Sequence, residues 1–147
     1  MNIQLGHSKF VRRAYGIDEI ALVPGGKTVD PENTDTTLLI GGKSLEIPII
    51  ASAMDGVVDV NMAVALSKLG SLGVLNLEGV QTRYDDPETV LNKIRSTGKE
   101  DFVPLMQEIY KQPIKKELII KRIQEIKEGG GIVALSGTPL AAIKFKD

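Results

Sequence analysis

Apolar residues along this chain fall into short buried-looking runs and helix-spaced stripes, and the alternation of the two predicts an α/β fold. The run that organises the rest is Ile47 to Asp59, IPIIASAMDGVVD. β-Branched aliphatic residues lead into a small-residue corner, Ala51-Ser52-Ala53-Met54-Asp55-Gly56, and Asp59 stands where the cap of a following helix is expected. A nearly continuous apolar stretch such as Ile47, Ile49, Ile50 and Ala51 suits a parallel strand buried on both faces, where alternation is not required. Polar chemistry is then expected at its carboxyl end, because helices cover the sheet faces and only the strand-end loops stay open.

Met62, Leu66 and Leu69 recur four and three apart, which predicts a helix over about Val60 to Leu69 with Gly70 as its stop. Ser71 to Leu77, SLGVLNL, predicts a second buried strand. Strand, helix and strand in about thirty residues form one βαβ unit, whose crossover rule makes the strands parallel and adjacent. From Gln81 to Gly131 the pattern is helical and punctuated. Asp86-Pro87 opens a helix with Val90, Leu91 and Ile94 apolar and Gly98 at its end; a second spans Asp101 to Tyr110, closed by Pro113. The third, Lys115 to Glu128, carries the stripe Ile119, Ile123, Ile126 and a Glu117/Lys121 pair four residues apart. Gly129-Gly130-Gly131 stops it, and Ile132 to Leu135 predicts a third buried strand delivering Ser136, Gly137, Thr138 and Pro139 to a loop on the same edge as Ser52 and Asn76.

The region before Ile47 is less regular. Ile20 to Val23 reads as a short strand ended by Pro24-Gly25. Thr37 to Ile40 and Ser44 to Ile47, separated by Gly41-Gly42-Lys43, predict a hairpin, since paired glycines supply the positive φ of a tight turn. The domain reading is an N-terminal extension with hairpin, residues 1–46, and an incomplete α/β unit of three parallel strands, residues 47–147.

Composition narrows the function classes. The 147 residues are 42% hydrophobic and 25% charged, the mixture of a folded globular domain. With 18 basic and 19 acidic residues well mixed and a net charge of −1, neither nucleic acid nor a membrane surface is indicated as a partner. The chain has no cysteine, hence no disulfide, thiolate metal site or cysteine nucleophile. No signal-peptide pattern and no membrane-length apolar run is read, so a cytoplasmic location is the expectation.

RRAYGIDEIALVP (Arg12 to Pro24), EIPIIASAMDGVVD (Glu46 to Asp59), MAVALSKLGSLGVLNLEG (Met62 to Gly79) and QTRYDDP (Gln81 to Pro87) together resemble the IMP dehydrogenase/GMP reductase family. The nearest branch is that of the short IMP dehydrogenase-related proteins, which lack a regulatory insert in the barrel. The most specific block is Ile47 to Gly79, with the family's P-[IL]-[IV]-x-[AS]-x-M-D strand end and G-x-[GL]-G-[VI] second strand. The resemblance implies a TIM (β/α)8 barrel, of which this chain supplies the N-terminal portion. It also implies a purine nucleoside monophosphate at the strand ends, with Ser52 and Met54 as the substrate-binding residues carried over by motif position.

The implied activity is that of a purine-nucleotide oxidoreductase, IMP to XMP with NAD, in which a cysteine attacks the purine C2 and hydride passes to the nicotinamide. The alternatives are GMP reduction to IMP with NADPH, or a non-catalytic truncated half-barrel. A small free-standing doubly wound domain ranks last. NAD or NADP, a monovalent cation in the later part of the barrel, and a tetramer-like homo-oligomer are implied for the complete enzyme. No catalytic residue is assigned here, because the family's cysteine, phosphate loops, cation site and general base lie later in the barrel. After the second strand the chain reads Asn76-Leu77-Glu78-Gly79 where the family's dehydrogenases commonly show a His-rich pair, so dinucleotide contacts are not carried over to that loop.

Other candidates have plainer readings. Asp55 and Asp59, four apart, resemble an acid pair but are better explained as a turn stabiliser and a cap. His7, the single histidine, has no sequence partner for a triad or metal site. Gly129 to Gly131 follow a helix and precede a strand, the reverse of a phosphate cradle. Arg12-Arg13 is too short for a nucleic-acid patch, and Lys115-Lys116 reads as a solvated helix end.

Overall fold

Gly41 and Gly42 take φ of 56° and 74°, a conformation few other residues adopt. They fold Leu38–Ile40 back onto Lys43–Leu45 as an antiparallel hairpin. The computed structural model describes residues 2–146, and the chain divides into two units, one ending at Asp35 and the other beginning at Thr36. In chain order the first unit holds strands β1 (Asn2–Leu5) and β2 (Lys9–Arg12), which pair antiparallel. The second holds the hairpin strands β3 (Leu38–Ile40) and β4 (Lys43–Leu45), then β5 (Ile50–Ala51), α1 (Val60–Lys68), β6 (Leu72–Gly73) and β7 (Leu75–Asn76). After these come α2 (Pro87–Ser96), α3 (Lys99–Lys111), α4 (Lys116–Glu128), β8 (Leu135–Ser136) and α5 (Pro139–Lys144).

The N-terminal hairpin has no counterpart in the sequence reading, and the expected strand at Ile20 to Val23 does not form. Short 3-10 turns at Ile17–Glu19 and Pro31–Asn33 bracket irregular chain instead. Among the described residues the first unit pairs only β1 with β2, so the Ile20 to Val23 backbone has no ladder to join, and its side chains are exposed.

In the second unit, β5 pairs parallel with β6, and β7 pairs parallel with β8. The expected order of three parallel strands is therefore observed, with each ladder shorter than its apolar run. The middle strand changes partner at Val74, whose N–H donates to Ala51 O (3.2 Å) while the next N–H, of Leu75, donates to Ala134 O (2.9 Å). Of Ile47 to Ala51 only Ile50–Ala51 lies in the ladder, and the expectation of burial on both faces fails: Ile49 is 62% exposed. Among the described residues β5 has a neighbour on one side only. The third strand begins at Leu135 instead of Ile132. The Ile132 N–H is taken by the Ser67 hydroxyl (2.9 Å), which itself donates to Ala63 O (2.8 Å), so a helix side chain holds the entry to the strand.

Helix α1 starts where Asp59 accepts from the Met62 N–H (2.7 Å) and α2 where Asp86 accepts from Thr89 (3.2 Å), both as expected caps. The buried face of α1 is Ala63, partly Val60 and Val64, and not the Met62/Leu69 stripe, both of which are exposed. The small Ala63 lets the helix lie close to the strands. Val58, Ala63, Leu75 and Ile126 form the central cluster, which joins α1, the strands and α4. Burying each large side chain there contributes about 1.5–3 kcal/mol. In α4 the Glu117/Lys121 pair is replaced by Lys121 to Glu125 (4.0 Å). The Lys115-Lys116 end is solvated as expected, and it is also tied down: the Lys115 N–H donates to Thr82 O (2.9 Å) and its exposed ammonium pairs with Asp85 (3.2 Å). Helix α5, opened by Thr138 as cap and Pro139 as first residue, was not anticipated.

Candidate functional site

The carboxyl ends of the three parallel strands carry the loops that begin at Ser52, Leu77 and Gly137, and side chains tie these loops together. Asp55 is the main knot. Its Oδ2 accepts from the Val80 N–H (2.9 Å) and from the Tyr110 hydroxyl (2.8 Å), partners 25 and 55 residues away. The sequence reading gave Asp55 to its own turn. That turn is instead closed by backbone, with the N–H groups of Val57 and Val58 both donating to Met54 O at 2.9 Å. Asp55 Oδ1 is buried and has no hydrogen-bond partner among the described residues. It lies against Gly79, where a β-carbon would overlap the carboxylate.

A second knot joins the other two loops. The Asn76 amide oxygen accepts from the Glu78 N–H (3.0 Å), bending the chain after β7. The Glu78 carboxylate then accepts from the Thr138 N–H (2.6 Å) and hydroxyl (3.2 Å). Beneath it, the buried Thr82 hydroxyl bonds Leu77 O (2.7 Å). Arg83 donates to Glu78 O (3.0 Å), Tyr110 O (3.3 Å) and Gln112 O, and its guanidinium stacks 5.3 Å from the Tyr110 ring centre. Burial first, then the hydrogen bond and charge of Asp55, push the Tyr110 hydroxyl up to about 12, with Arg83 pulling the other way.

Ser52 and Met54, the two residues singled out by motif, lie on the open side of this corner. Both are exposed, Met54 at 58%. Met54 also lines a cleft of about 370 Å³ with Ala53, Asn76, Leu91, Met106 and Tyr110. Asp55 and Asp59 do not act as a pair: one joins loops and the other caps α1. His7 lies in the turn of the N-terminal hairpin. The arrangement offers hydroxyl, amide and thioether groups for holding a ligand. Among the described residues no cluster of three or more His, Cys, Asp or Glu is set to hold a metal ion, and no helix is long and apolar enough to cross a membrane. Sequence reasoning placed Thr138 on a loop at this edge but missed its bond to Glu78, and it missed Tyr110 altogether. The available signal was the strand end before Ser136, since contacts across 25 to 60 residues leave no periodic trace.

Residues 14–100 match the model of the "IMP dehydrogenase / GMP reductase domain". An uncharacterized oxidoreductase of Mycobacterium tuberculosis is 30% identical over 142 residues, covering 93% of this chain and 38% of that protein. Inosine-5'-monophosphate dehydrogenase of Methanocaldococcus jannaschii is 34% identical over 102 residues, covering 69% of this chain and 19% of its own length. In structure, an IMP dehydrogenase/GMP reductase-like protein from Corynebacterium glutamicum superposes with a TM-score of 0.81 at 25% identity, over 99% of this chain and 40% of that one. This chain thus spans about two fifths or less of these relatives. With its motifs, strand order and structural match in agreement, the chain belongs to the IMP dehydrogenase/GMP reductase family and corresponds to its N-terminal part.

Proposed function

We propose that these residues are the N-terminal part of a purine-nucleotide oxidoreductase and that the corner after β5 touches the nucleoside monophosphate through Ser52 and Met54. The observation that carries the reading is the exposure of both side chains at the carboxyl end of a parallel strand, the place where barrels hold their ligands. Ser52 supplies a hydroxyl that donates or accepts, and Met54 a polarisable thioether that packs beside a ring or sugar. In this reading residues 1–46 are an extension with hairpin and residues 47–147 begin a (β/α)8 barrel. The one-sided pairing of β5 and the exposure of Ile49 fit a sheet continued by further strands.

The favoured direction is IMP to XMP with NAD; the alternative is GMP to IMP with NADPH, on the same nucleotide site. The loop after β7 is a poor fit for the dinucleotide: the Glu78 carboxylate, its one group suited to ribose hydroxyls, is held by Thr138. Cofactor, monovalent cation, catalytic cysteine and tetramer-like assembly belong, in this reading, to the complete barrel, and the 147 residues alone are non-catalytic.

Calorimetric titration of IMP and GMP into the complete gene product carrying these residues tests the site. Ser52→Ala is expected to weaken binding by about 1 kcal/mol, the scale of one neutral hydrogen bond; unchanged affinity removes Ser52 from the site. NAD reduction with IMP set against NADPH oxidation with GMP decides the direction.

A further inference from the structure

A βαβ crossover needs one helix, yet three lie between β7 and β8. Helix α4 alone meets the central cluster, through Ile126. Helices α2 and α3 pack elsewhere: Leu105 and Ile109 of α3 close a separate core around Val80, with Val90, Leu91 and Ile94 of α2 against it. That core sits on the 3-10 turn Val80–Thr82, just past the Asp55–Gly79 contact. The end of α3 is fixed from below, since Tyr84 donates to Ile109 O (3.0 Å) and Arg83 to Tyr110 O (3.3 Å) while stacking on the Tyr110 ring. Tyr110 is thereby held with its hydroxyl on Asp55, the residue after Met54.

We propose that Asp55 and Tyr110 form a latch by which the α2–α3 pair positions the Ser52–Met54 corner, making both of them positioning residues for nucleotide binding. The inference rests on the reading of that corner as the nucleotide contact. Its physical basis is the hydrogen-bond balance of one carboxylate. Among the described residues Oδ1 has no hydrogen-bond partner and Oδ2 has two. Loss of the Tyr110 hydroxyl leaves a half-buried charge with a single protein donor, and water then competes for it. The carboxylate turns outward, and the corner, which is one residue away and closed by backbone bonds to Met54 O, loosens with it.

The test uses the complete gene product, with hydrogen exchange read by mass spectrometry and IMP and GMP affinity read by calorimetry. In Tyr110→Phe, exchange across residues 53–58 and at the Val80 amide is expected to rise about tenfold, with α1 and α4 unchanged, and nucleotide affinity to fall about three- to tenfold. Asp55→Asn keeps an oxygen for both donors and is expected to retain the protection that Asp55→Ala loses. Unchanged exchange at the corner in Tyr110→Phe and in Asp55→Ala overturns the latch. So does weakened nucleotide binding in Ser52→Ala with full affinity in Tyr110→Phe. If Ser52→Ala, Met54→Ala and Tyr110→Phe all bind nucleotide like the parent, the reading of the corner as the nucleotide contact fails and the positioning role fails with it.

Discussion

The Cα of Gly79 lies so close to the Asp55 carboxylate that a β-carbon on it would overlap the carboxylate group. Gly79 itself has φ −92° and ψ −166°, extended backbone open to any residue, so the requirement for glycine here is purely steric. Gly79→Ala is expected to displace Asp55 from Val80 and Tyr110 and to cost about 1–3 kcal/mol in urea denaturation. A midpoint equal to the parent's would show that the two loops part without penalty.

Arg122 is a second buried junction. Its guanidinium donates to Gln81 O (3.0 Å), Tyr84 O (3.3 Å), Asp85 O (3.0 Å) and the Glu125 carboxylate (2.9 Å). Arg122→Met strands three carbonyls and is expected to destabilise by about 3 kcal/mol, measured in the same way. Arg122→Lys is expected to recover little, because a point ammonium cannot span the fork of acceptors. Parent-like stability in the lysine variant would contradict that geometry.

How much of this was legible in sequence depended on the distance over which each feature is written. The caps Asp59 and Asp86, the Gly41-Gly42 turn and the α4 stripe are local, and each was read correctly because propensity and pattern act within one or two turns. The parallel order of the strands followed from crossover length. What the sequence hid was partner-dependent. Ile49 has the side chain of a buried strand but lies just outside the β5 ladder, which has one neighbour among the described residues; Ile132 loses its ladder place to Ser67; and among the described residues Ile20 to Val23 has no strand to join. Ser52 and Met54 stood out through a motif, whereas Tyr110 became visible only when helix packing brought it to Asp55.

Alkaline pH reads the latch directly. The Tyr110 hydroxyl is raised from 10.0 to about 12 in the folded chain, so between those values the unfolded chain has lost a proton that the folded chain keeps. Folding stability from this group is complete below pH 10 and is lost as pH rises towards 12. Asp55 and Arg83 are the charged groups facing it. The stability difference between the parent and Tyr110→Phe, followed by urea denaturation at stepped pH, is expected to shrink across that window. A difference that stays flat would mean the hydroxyl titrates alike in both states.

Residues 1–147 expressed alone are expected to show neither IMP-dependent NAD reduction nor GMP-dependent NADPH oxidation. A TIM barrel closes with about 250 residues, and without cysteine the covalent step of the proposed reaction has no thiolate. The outer edges of β5 and β8 are unpaired among the described residues, and the nearby Ile47 and Ile49 are exposed. The chain is therefore expected to self-associate through these edges. Sedimentation velocity and a coupled absorbance assay check both parts; a stable monomer, or turnover above background, would refute the corresponding one.

The partner change at Val74 also sets an order of assembly. Ile50 pairs with Leu72, but Leu75 pairs with Leu135, closing a loop nearly three times as long. Chain entropy makes that second closure costlier by about 1 kcal/mol, and it has to wait for the intervening helices to be synthesised. The β5–β6 pair, stapled by the Ser71 hydroxyl on Ile49 O, is thus the shorter closure, and the residues of the site's third loop are the last of the three to be synthesised. The corner bearing Ser52 therefore precedes in synthesis the Tyr110 that bonds its Asp55, and Glu78 likewise precedes the Thr138 that bonds it.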